Sequence, residues 1–208
     1  DWLSQRQVNG TWDYMGTGAG DNSVTQFGML GIKAALDARV PVPKTVLTTN
    51  EAHFRNTQNN DGGWEYRGRG VSRPSMGPAG LSSLHVCGVE YEKSLEIDQG
   101  PAFIGQYEIE PMIARGIAYI TKNMEFKNAY TAYGIERVGM FYDRRYLGAV
   151  DWYREGCRQI IEGGGRRREQ HAPDQFNLLF LAKGNIPVLM SKAQWGTTDD
   201  WNNRHSDA

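Results

Sequence analysis

A chain of 208 residues with a formal net charge of −1 has room for one large domain or two small ones, and that charge argues against nucleic acid or an anionic membrane as partner. Apolar residues make up 39% and charged residues 23%, the balance of a soluble globular protein on the polar side. No apolar run approaches the ~20 residues of a membrane helix, and two cysteines, Cys87 and Cys157, do not make a disulfide scaffold.

Both cysteines lie in helix-patterned segments and read as packed thiols. A chain that opens on Asp1, with neither Met nor a signal-like segment, reads as a processed or excised piece. Two segments near its start say almost the same thing: Gln7-Val8-Asn9-Gly10-Thr11-Trp12 and Gln58-Asn59-Asn60-Asp61-Gly62-Gly63-Trp64. The first leads through a glycine-rich loop, Met15 to Gly20, to Asp21 or Ser23, either of which can cap a helix by accepting from its free first-turn N–H groups. That helix carries Phe27, Leu30, Ala34 and Ala35 at helical spacing and ends near Arg39, before Pro41. After Pro43 a second helix runs through Val46, Leu47, His53 and Phe54 to Gln58.

There the motif recurs. A long loop holding Gly68, Gly70, Pro74, Gly77 and Pro78 then leads to a helix from near Ala79, with Leu81, Leu84, Gly88 and Val89. Ser94 to Glu108 reads as a connector. Pro111 sits in the first turn of the next helix, with Ile113, Gly116, Ile117 and Ile120 on one face. Tyr130 to Tyr146 follows, with Ile135, Val138, Gly139 and Tyr142 in register. Asp151 caps a helix from Trp152 to Glu162, and Asp174 caps the last, which carries Phe176, Leu179 and Phe180 and stops at Gly184. About seven helices in alternation, one class richer in small residues (Gly28, Ala34, Ala35, Gly88, Gly134, Gly139), predict an all-α fold of helical hairpins stacked into an arc or an (α/α) toroid. The hairpin domain is expected over residues 1–185, and the polar tail 186–208 as the start of a following domain.

Gln58, Asp61, Gly62, Gly63 and Trp64, with a weaker copy at Gln7, Asn9, Gly10 and Trp12, resemble the QW repeat of squalene-hopene cyclases and related prenyltransferase-type toroids. The resemblance implies that Gln and Trp tie adjacent hairpins together. The motif is lost where later copies would fall, at Asn123 to Asn128 and Glu162 to Gly165. Tyr133 to Gly139, Asp151-Trp152-Tyr153, Leu179 to Gly184, Pro187 to Met190 and Asp200 to His205 resemble a group of large bacterial proteins, typical of planctomycetes. Those carry such a toroid ahead of a C-terminal domain of unknown function, which leaves bacterial cytoplasm or cell envelope open as the compartment.

The chemistry of that family is not spelled out. Protonating an alkene requires a polarised carboxylic acid, supplied in hopene-type cyclases by Asp-x-Asp-Asp, and no such string occurs. Ionising a diphosphate calls for Asp-Asp-x-x-Asp on magnesium; Asp199-Asp200-Trp201-Asn202-Asn203 lacks the final carboxylate. His85-x-Cys87 on a helix would project roughly 200° apart and cannot chelate one zinc ion. No cofactor or metal is therefore expected. Gly16-Thr17-Gly18-Ala19-Gly20 imitates a nucleotide loop but has no strand before it and reads as a permissive turn. Gly163-Gly164-Gly165-Arg166-Arg167-Arg168 reads as a solvated loop.

In an (α/α) toroid the N-termini of the inner helices surround the central cavity. That places Trp64, Tyr66, His85, Tyr133, Glu136, Arg137 and Asp174 there, with Asp21, Gln26, Ser82, Tyr130 and Gln175. The plainer reading makes Trp12, Trp64 and Trp152 packing residues and Asp61 a turn former. Three function classes follow: a non-catalytic scaffold or apolar-ligand-binding module of a larger bacterial protein, with protein partners on its helical surface; an isoprenoid-processing enzyme with diverged or missing catalytic residues; and a polysaccharide lyase or hydrolase, which needs paired carboxylates. About four hairpins are too few to close a ring, so the toroid is expected to be incomplete.

Overall fold

The computed structural model describes residues 2–15, 18, 20–90, 92–95, 99–163 and 171–183. Eight α-helices run through them: α1 (Trp2–Arg6), α2 (Asn22–Asp37), α3 (Lys44–Thr57), α4 (Met76–Val86), α5 (Pro111–Lys122), α6 (Ala129–Phe141), α7 (Trp152–Gly163) and α8 (His171–Lys183). Local chemistry explains their starts. Asp21 Oδ1 accepts from Val24 N at 2.8 Å, Asn128 Oδ1 from Tyr130 N and Thr131 N, and Asp151 Oδ1 from Arg154 N at 3.0 Å. Pro111 opens α5, where its missing N–H leaves nothing unpaired.

Several boundaries differ from the sequence reading. The fourth helix begins at Met76 rather than near Ala79, and α6 stops at Phe141 because Tyr142 caps it and Asp143 turns left-handed, at φ 50°. The expected connector from Ser94 to Glu108 is flanked by a short antiparallel pair, β1 (Glu92–Ser94) with β2 (Tyr107–Ile109), in which Lys93 faces Glu108. A second pair joins β3 (Tyr146–Leu147) to β4 (Val150–Asp151). Asp174 is not a cap, since α8 is already helical from His171. The expected tail 186–208, its domain boundary, the Asp-Asp string and residues 164–168 lie outside the described residues, as do Gly16, Thr17 and Ala19.

The helices pack in two alternating sets. Even-numbered helices touch in succession, α2 on α4, α4 on α6 and α6 on α8, while α3 and α5 flank α4 and α7 flanks α6. α4 is buried along its whole length apart from His85, because neighbours cover it on every side. The main core gathers Phe54, Trp64, Leu81, Leu84, Ile113, Ile135, Val138, Trp152 and Phe180; a smaller one holds Trp12, Met29, Ile32, Val46 and Val86. In α2 the buried face is Thr25, Gln26, Gly28, Met29 and Ile32, not the stripe through Phe27 and Leu30, because the Trp12 ring seats on Gly28 and sets which side faces in. No described helix is long and apolar enough to cross a membrane.

The two Gln–Gly–Trp segments are the same joint built twice. Gln7 Nε2 donates to Val46 O at 2.9 Å and Gln58 Nε2 to Met112 O at 3.0 Å, each reaching the first turn of the next odd-numbered helix. Gly10 (φ +81°) and Gly62 (φ +88°) bring the backbone against that helix: a Cβ would sit 2.3 Å from Thr49 O or from Arg115 O, so only glycine fits. Trp12 Nε1 donates backward to Leu3 O and Trp64 Nε1 to Phe54 O, both at 2.9 Å. Each indole then lies on a glycine of the following helix, Gly28 or Gly80. Asp21 N and Arg73 N close both loops by donating to the carbonyls of Trp12 and Trp64.

Candidate functional site

Polar side chains in the interior of an apolar bundle are costly unless bonded, so where they concentrate is informative. They concentrate between α2 and α6. Arg137 Nη2 donates to Gln26 Oε1 at 2.5 Å, Gln26 Nε2 donates to the Tyr130 hydroxyl, and Tyr130 donates to Ser23 Oγ at 2.9 Å. The chain of bonds therefore runs from the middle of α6 to the first turn of α2. Gln26 is 1% exposed and Arg137 5% exposed, so the network is internal.

Aromatic rings wall it. The Arg137 guanidinium lies 4.1 Å from the centroid of the Tyr133 ring and 5.7 Å from that of Phe27. Phe176 of α8 packs against Phe27, Tyr130 and Tyr133, with centroids 6.4, 5.8 and 5.4 Å away. Each such cation–ring contact contributes about 0.5–2 kcal/mol, less than the several kcal/mol that removing a guanidinium from water costs. Burial pushes the Arg137 pKa down, against the opposing pull of Tyr133, Tyr130 and Glu136. Burial likewise raises Tyr130, partly offset by its bond to Ser23 and by Arg137.

Asp21 stands at the outer end of the network, its side chain fully buried. Its Oδ1 caps α2, while Oδ2 has no hydrogen-bond partner and lies 4.0 Å from Arg67 Nη2. Burial first, then the Asp21 carboxylate and Tyr14, push the Tyr66 phenol up to about 12. Asn22 joins the same end to the second motif: its N donates to Tyr66 O, its Nδ2 to Glu65 O, and its Oδ1 meets His53 Nε2 at 2.8 Å. Glu65 is pulled below the usual carboxylate range by the Tyr66 N–H and then by Arg73.

Of the expected cavity residues, Tyr133, Glu136 and Arg137 lie on α6 with Tyr130, Arg137 meets Gln26 of α2, and Tyr66 interacts with Asp21 at the start of α2. Trp64 does not: its indole is wholly enclosed by Gly80 and the edge of Phe54 and presents no face to a ligand. His85 lies in the last turn of α4, at the end opposite Met76, stacked on Phe141 at 4.7 Å; burial and then Lys33 depress its pKa. Asp174 is within the first turn of α8, and its side chain is outside the described residues; Gln175 is exposed. Asp61 Oδ1 accepts from Gly63 N and Ser72 Oγ, as a turn former does. Cys87, half-buried, donates toward Leu47 O at 3.3 Å, and burial raises its thiol to about 12; burial raises Cys157 too.

Sequence reasoning missed Phe27 and Phe176 as walls of this network. They meet across two helices remote in sequence, and no local spacing encodes that contact. Among the described residues the side chains of this network meet one another. An apolar cleft of about 260 Å³ lies elsewhere, beside α1 and the end of α2, lined by residues including Trp2, Leu3, Ile32, Ala35, Val40 and Val42. Among the described residues no three His, Cys, Asp or Glu side chains are grouped to hold a metal ion. Comparison of the chain with protein-family models, with curated proteins and with solved structures finds no match in any of the three.

Proposed function

We propose that this chain is a helical-hairpin module of the (α/α) toroid type, an incomplete ring, acting as a non-catalytic scaffold or apolar-ligand-binding part of a larger bacterial protein. The observation that carries the reading is the pairing of two intact joints with a hydrogen-bonded polar network between α2 and α6. Gln7, Gly10 and Trp12, and again Gln58, Gly62 and Trp64, hold neighbouring helices together, while Gln26, Tyr130, Arg137 and their aromatic neighbours occupy the space between even-numbered helices. The cleft beside α1 is the seat this reading gives to an apolar ligand. One feature favours the isoprenoid-processing alternative: Asp21 is a buried carboxyl group at a helix start whose Oδ2 accepts no hydrogen bond, with Arg67 at 4.0 Å.

Incubating the purified protein with squalene, and separately with geranylgeranyl diphosphate and magnesium, separates the two. The scaffold reading expects neither cyclised hydrocarbon nor released diphosphate. Turnover that disappears in Asp21→Asn would replace it with the isoprenoid reading.

A further inference from the structure

The repeated joints place α1 and α2 in register with α3 and α4. Leu3 O and Phe54 O accept from the indoles of Trp12 and Trp64, and Gly28 and Gly80 seat the same two rings. α1 is therefore the counterpart of the end of α3, and α2 of α4. The outer helices differ in length, with 5 described residues in α1 and 14 in α3. Early turns of α3 cover the end of α4: Cys87 Sγ donates toward Leu47 O at 3.3 Å, and Val46 and Leu47 pack with Val86 and Cys87 in the smaller core. Ala35 stands as far beyond Gly28 as Cys87 does beyond Gly80, so the matching surface of α2 is the one around Ala35. That surface is the apolar cleft of about 260 Å³, where Ile32 and Ala35 meet Trp2 and Leu3 of α1 and Val40 and Val42 of the loop after α2. Trp2 is 67% exposed and Val40 49% exposed. What helical turns cover beside α4 is thus an open cleft beside α2.

We propose that the cleft seats an amphipathic helical segment of the larger protein, in line with α1, whose aliphatic face meets Ile32 and Ala35 as Val46 and Leu47 meet Val86 and Cys87. A short helix is marginal in water by itself, and burial of one apolar face supplies its order. The inference rests on the module reading and makes a helix, rather than a free apolar ligand, the occupant of the cleft.

The test extends the whole chain by a second copy of residues 44–51 placed ahead of Asp1, in the register that sets Gln58 on Gln7. Tm should rise by about 3–6 °C, a modest net gain because burying two aliphatic side chains is offset by ordering the added turns. Fluorescence of Trp2, isolated by difference from Trp2→Phe, should move to shorter wavelength as its ring is covered. An extension with serine in place of the copied Val46 and Leu47 should lose both effects, and Ala35→Glu in the extended chain should lose most of the rise. No rise in Tm, or an equal rise with the serine extension, overturns the inference. So does a Trp2 shift on adding farnesol that the extended chain shows as fully as the unextended one. That result keeps the module reading, with a free apolar ligand in the cleft, whereas the module reading itself fails separately, by turnover of squalene or of the diphosphate.

Discussion

The joints before α2 and α4 differ from the turn before α6 in where their side chains reach. Gln58 bonds its own loop and the next hairpin: Nε2 donates to Gly62 O within the turn and to Met112 O of α5, and Oε1 accepts from Arg115 Nη2 of α5 at 2.7 Å. Gln7 does the same less completely, with Val46 O and Thr49 Oγ1. Asn123, which ends α5, turns its Nδ2 back to Tyr119 O of its own helix. Trp152, the later indole, packs against Gly139 of the helix behind it and donates to Arg144 O, whereas Trp12 and Trp64 lie on the helix ahead. The first two turns lock one hairpin to the next, and the third is satisfied within itself. The hairpins joined by Gln7 and Gln58 should therefore unfold together.

Substitutions in the joints should destabilise the chain more than those in the third turn, most of all at the indoles. Trp64→Ala empties a fully enclosed indole and should cost about 3–5 kcal/mol in urea unfolding, with Trp12→Ala close behind. Gly62→Ala and Gly10→Ala should each cost about 2–3 kcal/mol, through the collision with Arg115 O or Thr49 O added to backbone strain. Gly88→Ala is the control, because Gly88 has a similar φ of +88° and nothing within 4 Å; about 1 kcal/mol is expected there from strain alone. Gln58→Leu deprives Gly62 O and Arg115 Nη2 of their Gln58 partner and should cost about 2 kcal/mol, Gln7→Leu about 1 and Asn123→Ala under about 0.5. Equal losses at Gln58 and Asn123 would dissolve the distinction.

The smallest effect is a pH dependence. Burial lowers His53 and His85 below the ordinary 6.5. The unfolded chain therefore takes up protons that the folded chain refuses, and stability is retained above 6.5 and falls as pH drops below it. His85→Phe, which keeps the stack on Phe141, should flatten part of that slope in melts taken on either side of 6.5.

What the sequence makes legible follows from the range of the interactions. Helix starts at Asp21 and Asp151 are set by a side chain three residues from its partner, so local reading finds them. The joints are legible because their geometry is repeated: glycine where the backbone touches the next helix, tryptophan where the loop folds back. The polar network is only half legible. Arg137, Gln26 and Tyr130 can be nominated from the helix starts and the Glu136–Arg137 pair, but the pairing of Gln26 with Arg137 spans 111 positions, and Phe176 enters from α8. His85 is misplaced by the same reading because it lies at the far end of the helix from the turn that suggested it.

Native-state hydrogen exchange tests the joint directly, through two amides that close the two loops. Asp21 N and Arg73 N donate to the carbonyls of Trp12 and Trp64. If the joints lock the hairpins, both amides should exchange as slowly as the buried amides of α4, and Gln58→Leu should release Arg73 together with the start of α5. Exchange of both amides at the rate of the turn between α6 and β3, unaltered by Gln58→Leu, would contradict the account.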